Sequence, residues 1–306
     1  MSSRQEKNKE ITNEIEKREH SEKRKKIVIK ILKICLITIV AFTGIYFYTK
    51  YTSTKGIIVK EKRIINKKIP DSFEGIKIIQ FSDLDYGSTI FNDEVKNLVK
   101  IINDRKPDIV FFTGNLIDKN YKLKLKEQEK LIHELQKIDI TISKYAVTGN
   151  NDISEQFNTI MNQSNFQILD NSYELVYNSD NTPILVVGLS SLSKEKRDID
   201  KSYGYFKEET HNSNIYTISL MSETDGLDDI LTQYNSDLVL AGNSLNGQIN
   251  LFGYPLINKK GSSKYKNEYY KVNNTKIYVS SGIGSPDLGF RLFARPSINF
   301  FRISKN

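Results

Sequence analysis

The chain has 306 residues, 38% of them hydrophobic and 10% aromatic, enough apolar mass for one large domain or two ordinary ones and too much for a disordered protein. Its formal charge of +8 is unevenly placed, because residues 1–70 carry 18 Lys and Arg against 7 acids and leave residues 71–306 at about −3. The basic balance belongs to one terminal segment, so it argues against a nucleic-acid partner for the globular part.

Residues 1–26, "MSSRQEKNKEITNEIEKREHSEKRKK", are charged and almost without aromatics, and read as a solvated tail or a frayed helix. Residues 27–49, "IVIKILKICLITIVAFTGIYFYT", are apolar apart from Lys30 and Lys33 and long enough to cross about 30 Å of hydrocarbon. The two lysines can snorkel to one interface, and Tyr46, Phe47 and Tyr48 suit the other. The segment is expected to be a single-pass membrane anchor. It is not expected to be a removed signal peptide, because no small-residue cleavage site follows it. Nine Lys and Arg precede the span and seven follow it by residue 70, a slight bias toward a cytoplasmic N-terminus and an extracytoplasmic domain at the cell membrane. The only cysteine, Cys35, lies in the span, so no disulfide is expected in the remainder. Residues 50–70 read as a lead-in or linker, with "GIIVKEKRII" as a candidate edge strand.

From there, residues 71–306 alternate strand and helix. "IKIIQFS" and "DIVFFTG" are buried-strand runs, and residues 92–105 between them place Val95, Leu98, Val99 and Ile102 at helical spacing. "YKLKLKEQEKLIHELQKI" reads as an amphipathic helix, followed by a strand at "SKYAVTG" and a helix near residues 152–163. The second half is strand-rich, with "PILVVGL", "NIYTISLM", "DLVLAG", "INLF", "KIYVSS" and "INFFRI" around one helix near "GLDDILTQY". The pattern predicts an α/β layered sandwich of mixed sheets flanked by helices, with its site in the loops at strand ends.

Four strands end in polar, glycine-containing loops: "FSDLDYG", "FFTGNLID", "AVTGNND" and "LVLAGNSLNGQ". Singly, each is ordinary turn chemistry, since Gly, Asn and Asp tolerate left-handed backbone. In this order and spacing they resemble the calcineurin-like metallophosphoesterases, particularly a bacterial membrane-anchored branch. The resemblance covers residues 75–303 and includes the ending "YVSSGIGSPDLGFRLFARPSINFF". That family's pattern is DxH, GDxxD, GNHD, a later histidine, and GHxH continuing into GGQ. It implies two metal ions sharing a bridging carboxylate and activating a water against a phosphoester.

Matched position by position, much of that chemistry is missing. Asp83 stands at the first ligand position, but Asp85 replaces the motif's histidine and Asn115 replaces the bridging aspartate. Asp118 matches the last position of its motif. Gly149, Asn150 and Asp152 are kept, whereas Asn151 replaces the general-acid histidine. Ser222, with Glu223 beside it, stands for the next ligand histidine. After Gly242 the last pair becomes Asn243 and Leu245, and Leu245 has no atom to coordinate a metal. The chain has three histidines, His20, His133 and His211, none of them in these loops.

Altering a partner outside the metal's own ligands typically costs about 10 to 100-fold, and loss of an acid–base group roughly 10² to 10⁴-fold. A normal two-metal reaction is therefore not expected, and no cofactor is expected. The alternative is a divergent phosphoesterase in which Asp83, Asp85, Asn115 and Asn150 hold one weakly bound Mg²⁺, Mn²⁺ or Ca²⁺ in an oxygen-only site. "DLD" also echoes the DxDxT nucleophile motif of haloacid dehalogenases, but Gly87 sits at the threonine position. The favoured expectation is a membrane-tethered pseudoenzyme that binds a membrane or envelope protein, or senses a phosphate-bearing envelope molecule. A second candidate surface is "KKGSSKYKNEYYK", where Lys259, Lys260, Lys264, Lys266 and Lys271 interleave with Tyr265, Tyr269 and Tyr270, weighed against a solvated loop.

Overall fold

A computed structural model describes residues 2–152, 155–193, 197–208 and 214–306. The contacts divide the chain into two units, Met1–Thr49 and Lys50–Asn306. In the first, helix α1 (Ser2–Phe47) runs unbroken through both the charged tail and the apolar segment; a π-helical turn at Tyr48–Thr52 spans the boundary. It is long and apolar enough to cross a membrane.

The second unit opens with β1 (Ile58–Ile65), β2 (Lys77–Phe81), α2 (Asn92–Asn103), β3 (Ile109–Thr113), α3 (Leu125–Gln136), β4 (Ser143–Val147) and α4 (Glu155–Gln163). There follow β5 (Gln167–Ile168), β6 (Ser172–Val176), β7 (Ile184–Gly188), α5 (Ile199–Ser202), β8 (Thr217–Met221), α6 (Leu227–Gln233) and β9 (Leu238–Ala241). The chain ends with the hairpin β10 (Asn250–Leu251) and β11 (Tyr254–Pro255), then β12 (Tyr269–Val272), β13 (Thr275–Val279) and β14 (Ser297–Ser304).

Two six-stranded mixed sheets result, in the orders β1-β14-β2-β3-β4-β5 and β12-β13-β9-β8-β7-β6. Within residues 50–70, the candidate edge strand is β1, which pairs in parallel with β14 over all eight residues at the edge of the first sheet. "INLF", which reads as a strand, supplies the two-residue β10 of a separate two-stranded hairpin rather than a strand of either large sheet.

Period-two alternation sorts the strand side chains into layers. Ile79, Phe81, Val110 and Phe112 face α2, α3 and α4, burying Leu98, Leu131 and Phe157 among others. Ile78, Ile109, Phe111 and Phe301 pack across the middle against Val186, Ile218, Leu220 and Leu240 of the other sheet. Val187, Val239 and Ile277 on its far side meet Tyr203, Leu227 and Ile230. The architecture is a helix–sheet–sheet–helix sandwich. Between the sheets, the fully buried Gln80 donates to the Ala241 carbonyl at 2.8 Å and accepts from Asn299 at 2.9 Å, so β2 and β9 end beside one another. That convergence creates the site.

Candidate functional site

The four sequence-selected loops meet at the carboxyl ends of β2, β3, β4 and β9. Close approach of their backbones depends on glycine at two positions. A Cβ on Gly114, whose φ is +85°, would sit 2.6 Å from the Gly149 nitrogen, and one on Gly149 would sit 2.5 Å from the Asn115 nitrogen. Asp83, Asp85, Asn115, Asn243 and Leu245 themselves adopt left-handed backbone, with φ between 42° and 63°. Such conformations concentrate at functional sites because the surroundings must over-determine them.

Asp83 is at the centre. Its Oδ1 accepts from Asn115 Nδ2 at 2.8 Å, the Asn243 backbone N–H reaches both oxygens at 3.2 and 3.0 Å, and the Ser82 hydroxyl donates to Oδ2. Asn115 Oδ1 in turn accepts from the Asn151 N–H at 3.1 Å, and Asn243 donates to the Lys260 carbonyl and to Ser262 Oγ at 2.8 and 3.0 Å. Burial pushes the Asp83 carboxyl up, opposed by these donors. Asp85 is pushed well above the usual carboxylate range by burial and then by the neighbouring Asp83 charge, with Lys259 pulling the other way.

A cavity of about 270 Å³ opens over this cluster. Asp83, Asp85, Asn115, Asn150, Asn151, Asn243 and Leu245 line it, together with Lys259 and Lys260, which the sequence assigned to a separate candidate surface, and Lys119 and Asp287, which sequence reasoning did not select. Lys119 and Lys259 converge on Asp287 at 2.9 and 2.6 Å, and their hydrogen bonds hold its carboxyl down at about 2. Asp85 Oδ2 and Asn150 Oδ1 are buried without a hydrogen-bond partner, both on cavity-lining residues.

Two of the sequence-matched residues do other work, and a third, Ser222, lies outside the cavity lining. Asp118 accepts from the Asn120 N–H at 2.8 Å, a local turn. Asp152, buried, accepts from the N–H groups of Asn115, Leu116 and Gly149 at 2.7, 2.8 and 2.8 Å and so clamps two site loops together. Ser222 is buried in its loop outside the cavity lining, and Glu223 beside it accepts from Ser191 Oγ at 2.6 Å. Asp152→Asn keeps the volume but turns one acceptor into a donor facing an N–H. It is expected to cost about 2 kcal/mol and to lower the thermal midpoint by roughly 4–8 °C, which calorimetry would read. His20 and His133 are exposed on α1 and α3, and His211 lies outside the described residues.

A residue the motif comparison passed over is Arg291, fully buried although it sits in the apolar run "LGFRLFARP". It donates to the carbonyls of Gly284, Ser281 and Ala294 and to Ser285 Oγ, and its charge faces both Asp83 and Asp85. An arginine interrupting an apolar run was the available signal.

This donor set does not fit a pair of divalent cations. The oxygens of Asp83 are occupied by amide and hydroxyl hydrogens, Asn115 turns an NH₂ toward Asp83 where a bridging carboxylate would be needed, and a buried guanidinium already supplies positive charge. Among the described residues, no three His, Cys, Asp or Glu side chains group so as to hold a metal ion.

Fold and site together define a metallophosphoesterase-type sandwich with an altered centre. Residues 76–280 match the calcineurin-like phosphoesterase family, and the chain belongs to it. It is 28% identical over 265 residues to an uncharacterized metallophosphoesterase of Bacillus subtilis, YkuE, covering 85% of this chain and 90% of that one. It is 26% identical over 271 residues to an uncharacterized metallophosphoesterase of Helicobacter pylori J99, covering 86% and 68%. A zebrafish relative named as a transmembrane protein with metallophosphoesterase domain is 22% identical over 251 residues. There the match covers 76% of this chain and about half (54%) of the relative.

Proposed function

We propose that this protein is a membrane-anchored member of the family that works by binding rather than by turnover. In this reading α1 holds it in the cell membrane with the domain on the extracytoplasmic side, as a scaffold, regulator or sensor for a membrane or envelope partner. The observation that carries it is the saturation of Asp83. The carboxylate that would be the first metal ligand is engaged by Ser82, Asn115 and Asn243, three donors that a metal would have to displace. Displacing them would leave buried polar groups unpaired, at about 1–3 kcal/mol each.

A second reading has one observation of its own. Asp85 Oδ2 and Asn150 Oδ1 are buried acceptors without partners on the cavity wall, and a single hard cation such as Mg²⁺ or Ca²⁺ is an oxygen-seeking occupant of such a place. The experiment that separates the two uses the full chain in detergent or lipid, with elemental analysis and hydrolysis of bis-p-nitrophenyl phosphate in Mn²⁺, Mg²⁺ or Ca²⁺. The binding reading expects no stoichiometric metal and no turnover. Turnover that disappears in Asp83→Ala would overturn it.

A further inference from the structure

The hairpin β10–β11 carries Phe252, 94% exposed, and Tyr254, 75% exposed; Phe293 on a neighbouring loop is 61% exposed. The two phenylalanine rings lie against each other, centroids 6.5 Å apart at 28°. Both residues have left-handed backbone, φ 52° and 53°, a region that bulky side chains avoid unless the surroundings enforce it. Here they do: Asn250 N–H donates to the Leu292 carbonyl and Leu292 N–H to the Gln248 carbonyl, both at 2.9 Å, while Gly253 N–H donates to Asn250 Oδ1 at 2.8 Å. Arg291 fastens the base of the Phe293 loop to the interior. Leu256, just after β11, and Leu288, in the connection that leads to Phe293, are also 56% and 42% exposed. Two braced loops therefore hold an apolar surface in water, which marks an interaction site.

The occupant is argued from what the Phe293 loop touches. Its Gly289 and Pro296 line a groove with Lys55 and Ile57, and Arg295 Nη2 lies 3.3 Å from where a Cβ on Gly56 would be. Gly56 is only seven residues beyond Thr49, the end of the apolar segment, a span of at most about 24 Å of extended chain. A loop that touches a segment tethered so closely to the end of a membrane span has the bilayer interface within reach, where amphipathic rings settle. Arg295, two residues after Phe293, and Lys260, five residues after β11, are both exposed and suit anionic headgroups.

We propose that the Phe252–Phe293 patch docks on the surface of the bilayer that holds this chain's own helix, a second membrane contact separate from the span. The cavity-lining Pro286 and Asp287 lie in the same β13–β14 connection as Phe293, and Lys259 lies in the segment that follows the hairpin, so docking brings the cavity mouth to the headgroup layer. The proposal rests on residues 27–49 being a bilayer span, and its test separates the two.

The chain contains no tryptophan, so an introduced one reports without background. Full-length Phe252→Trp, Phe42→Trp within the span and Tyr177→Trp on an exposed stretch after β6 would each be placed in liposomes with and without brominated acyl chains. Phe42→Trp and Phe252→Trp are expected to lose roughly half of their emission or more to the brominated lipid, and Tyr177→Trp little. Quenching at position 42 without quenching at 252 overturns docking and leaves the span intact; no quenching at 42 overturns both. Blue-shifted Phe252→Trp emission that ignores bromine and reverts on dilution would mean that a second copy covers the patch, again overturning the proposal. Because Phe252 is almost fully exposed, its replacement does not threaten folding.

Discussion

Asn115→Asp is expected to destabilise the domain by about 4 kcal/mol at about pH 8 and by much less near pH 5, a difference of several degrees in thermal midpoint between the two conditions. The substitution removes the 2.8 Å hydrogen bond from Asn115 Nδ2 to Asp83 and turns a carboxyl toward a carboxyl that burial already pushes up. Two such groups cannot both ionise in one buried place, so the folded state holds a proton that the unfolded chain releases. A folded-state pKa above the unfolded one gives stability that is present in acid and lost as pH rises, which fixes the sign. The same variant discriminates between the two functional readings, because it recreates the family's bridging carboxylate. If the rest of the centre is unsuited to metal, millimolar Mn²⁺ leaves the midpoint of the variant where it was. A rise of several degrees with Mn²⁺ would favour the oxygen-only site.

The fold was legible because its signals are local. Buried strands such as "DIVFFTG" announce themselves by unbroken β-branched and aromatic runs, and the glycine and Asx residues behind them are what close backbone approach requires. The weaker strands were not legible: β6 and β12 are half-buried and carry charge among their apolar residues, so their pattern does not differ from that of a loop. "KKGSSKYKNEYYK" shows the same limit. Tyr265 turns inward and donates to Asp228 at 2.6 Å, Lys264 pairs with the same carboxylate at 2.7 Å, and the segment runs into β12. Its even interleaving of lysine and tyrosine says nothing about which of them face in.

Within the site, the sequence located the loops but not the direction of each carboxylate. Asp83 and Asp152 look alike in their motifs, yet one faces the cavity and the other is consumed by three backbone N–H groups. That choice is made by where neighbouring backbone leaves donors unsatisfied, which depends on loops far apart in the chain. Lys119 and Asp287 escaped notice, and Lys259 was read as part of another surface, for the same reason, since only the folded chain brings them together.

Arg291→Met is expected to be the most damaging single substitution in the domain, at about 5 kcal/mol or more, against a total stability for such a domain of about 5–15 kcal/mol. The loss has two parts. The carbonyls of Ser281, Gly284 and Ala294 and the Ser285 hydroxyl lose a common donor inside the protein, where water cannot replace it. Asp83 and Asp85 also lose the buried cation that offsets them, so their charge becomes harder to hold. Arg291→Lys keeps a charge but not the planar fork, and one ammonium cannot reach four acceptors arranged around a guanidinium. It is expected to rescue less than half of the loss. The midpoint of either variant should recover in part when Asp85→Asn is added, since one of the uncompensated carboxyls is then gone. Additive midpoints in that double variant would mean that Arg291 serves only the loop carbonyls. A shortfall from additivity would show that the guanidinium carries the positive charge of this altered centre.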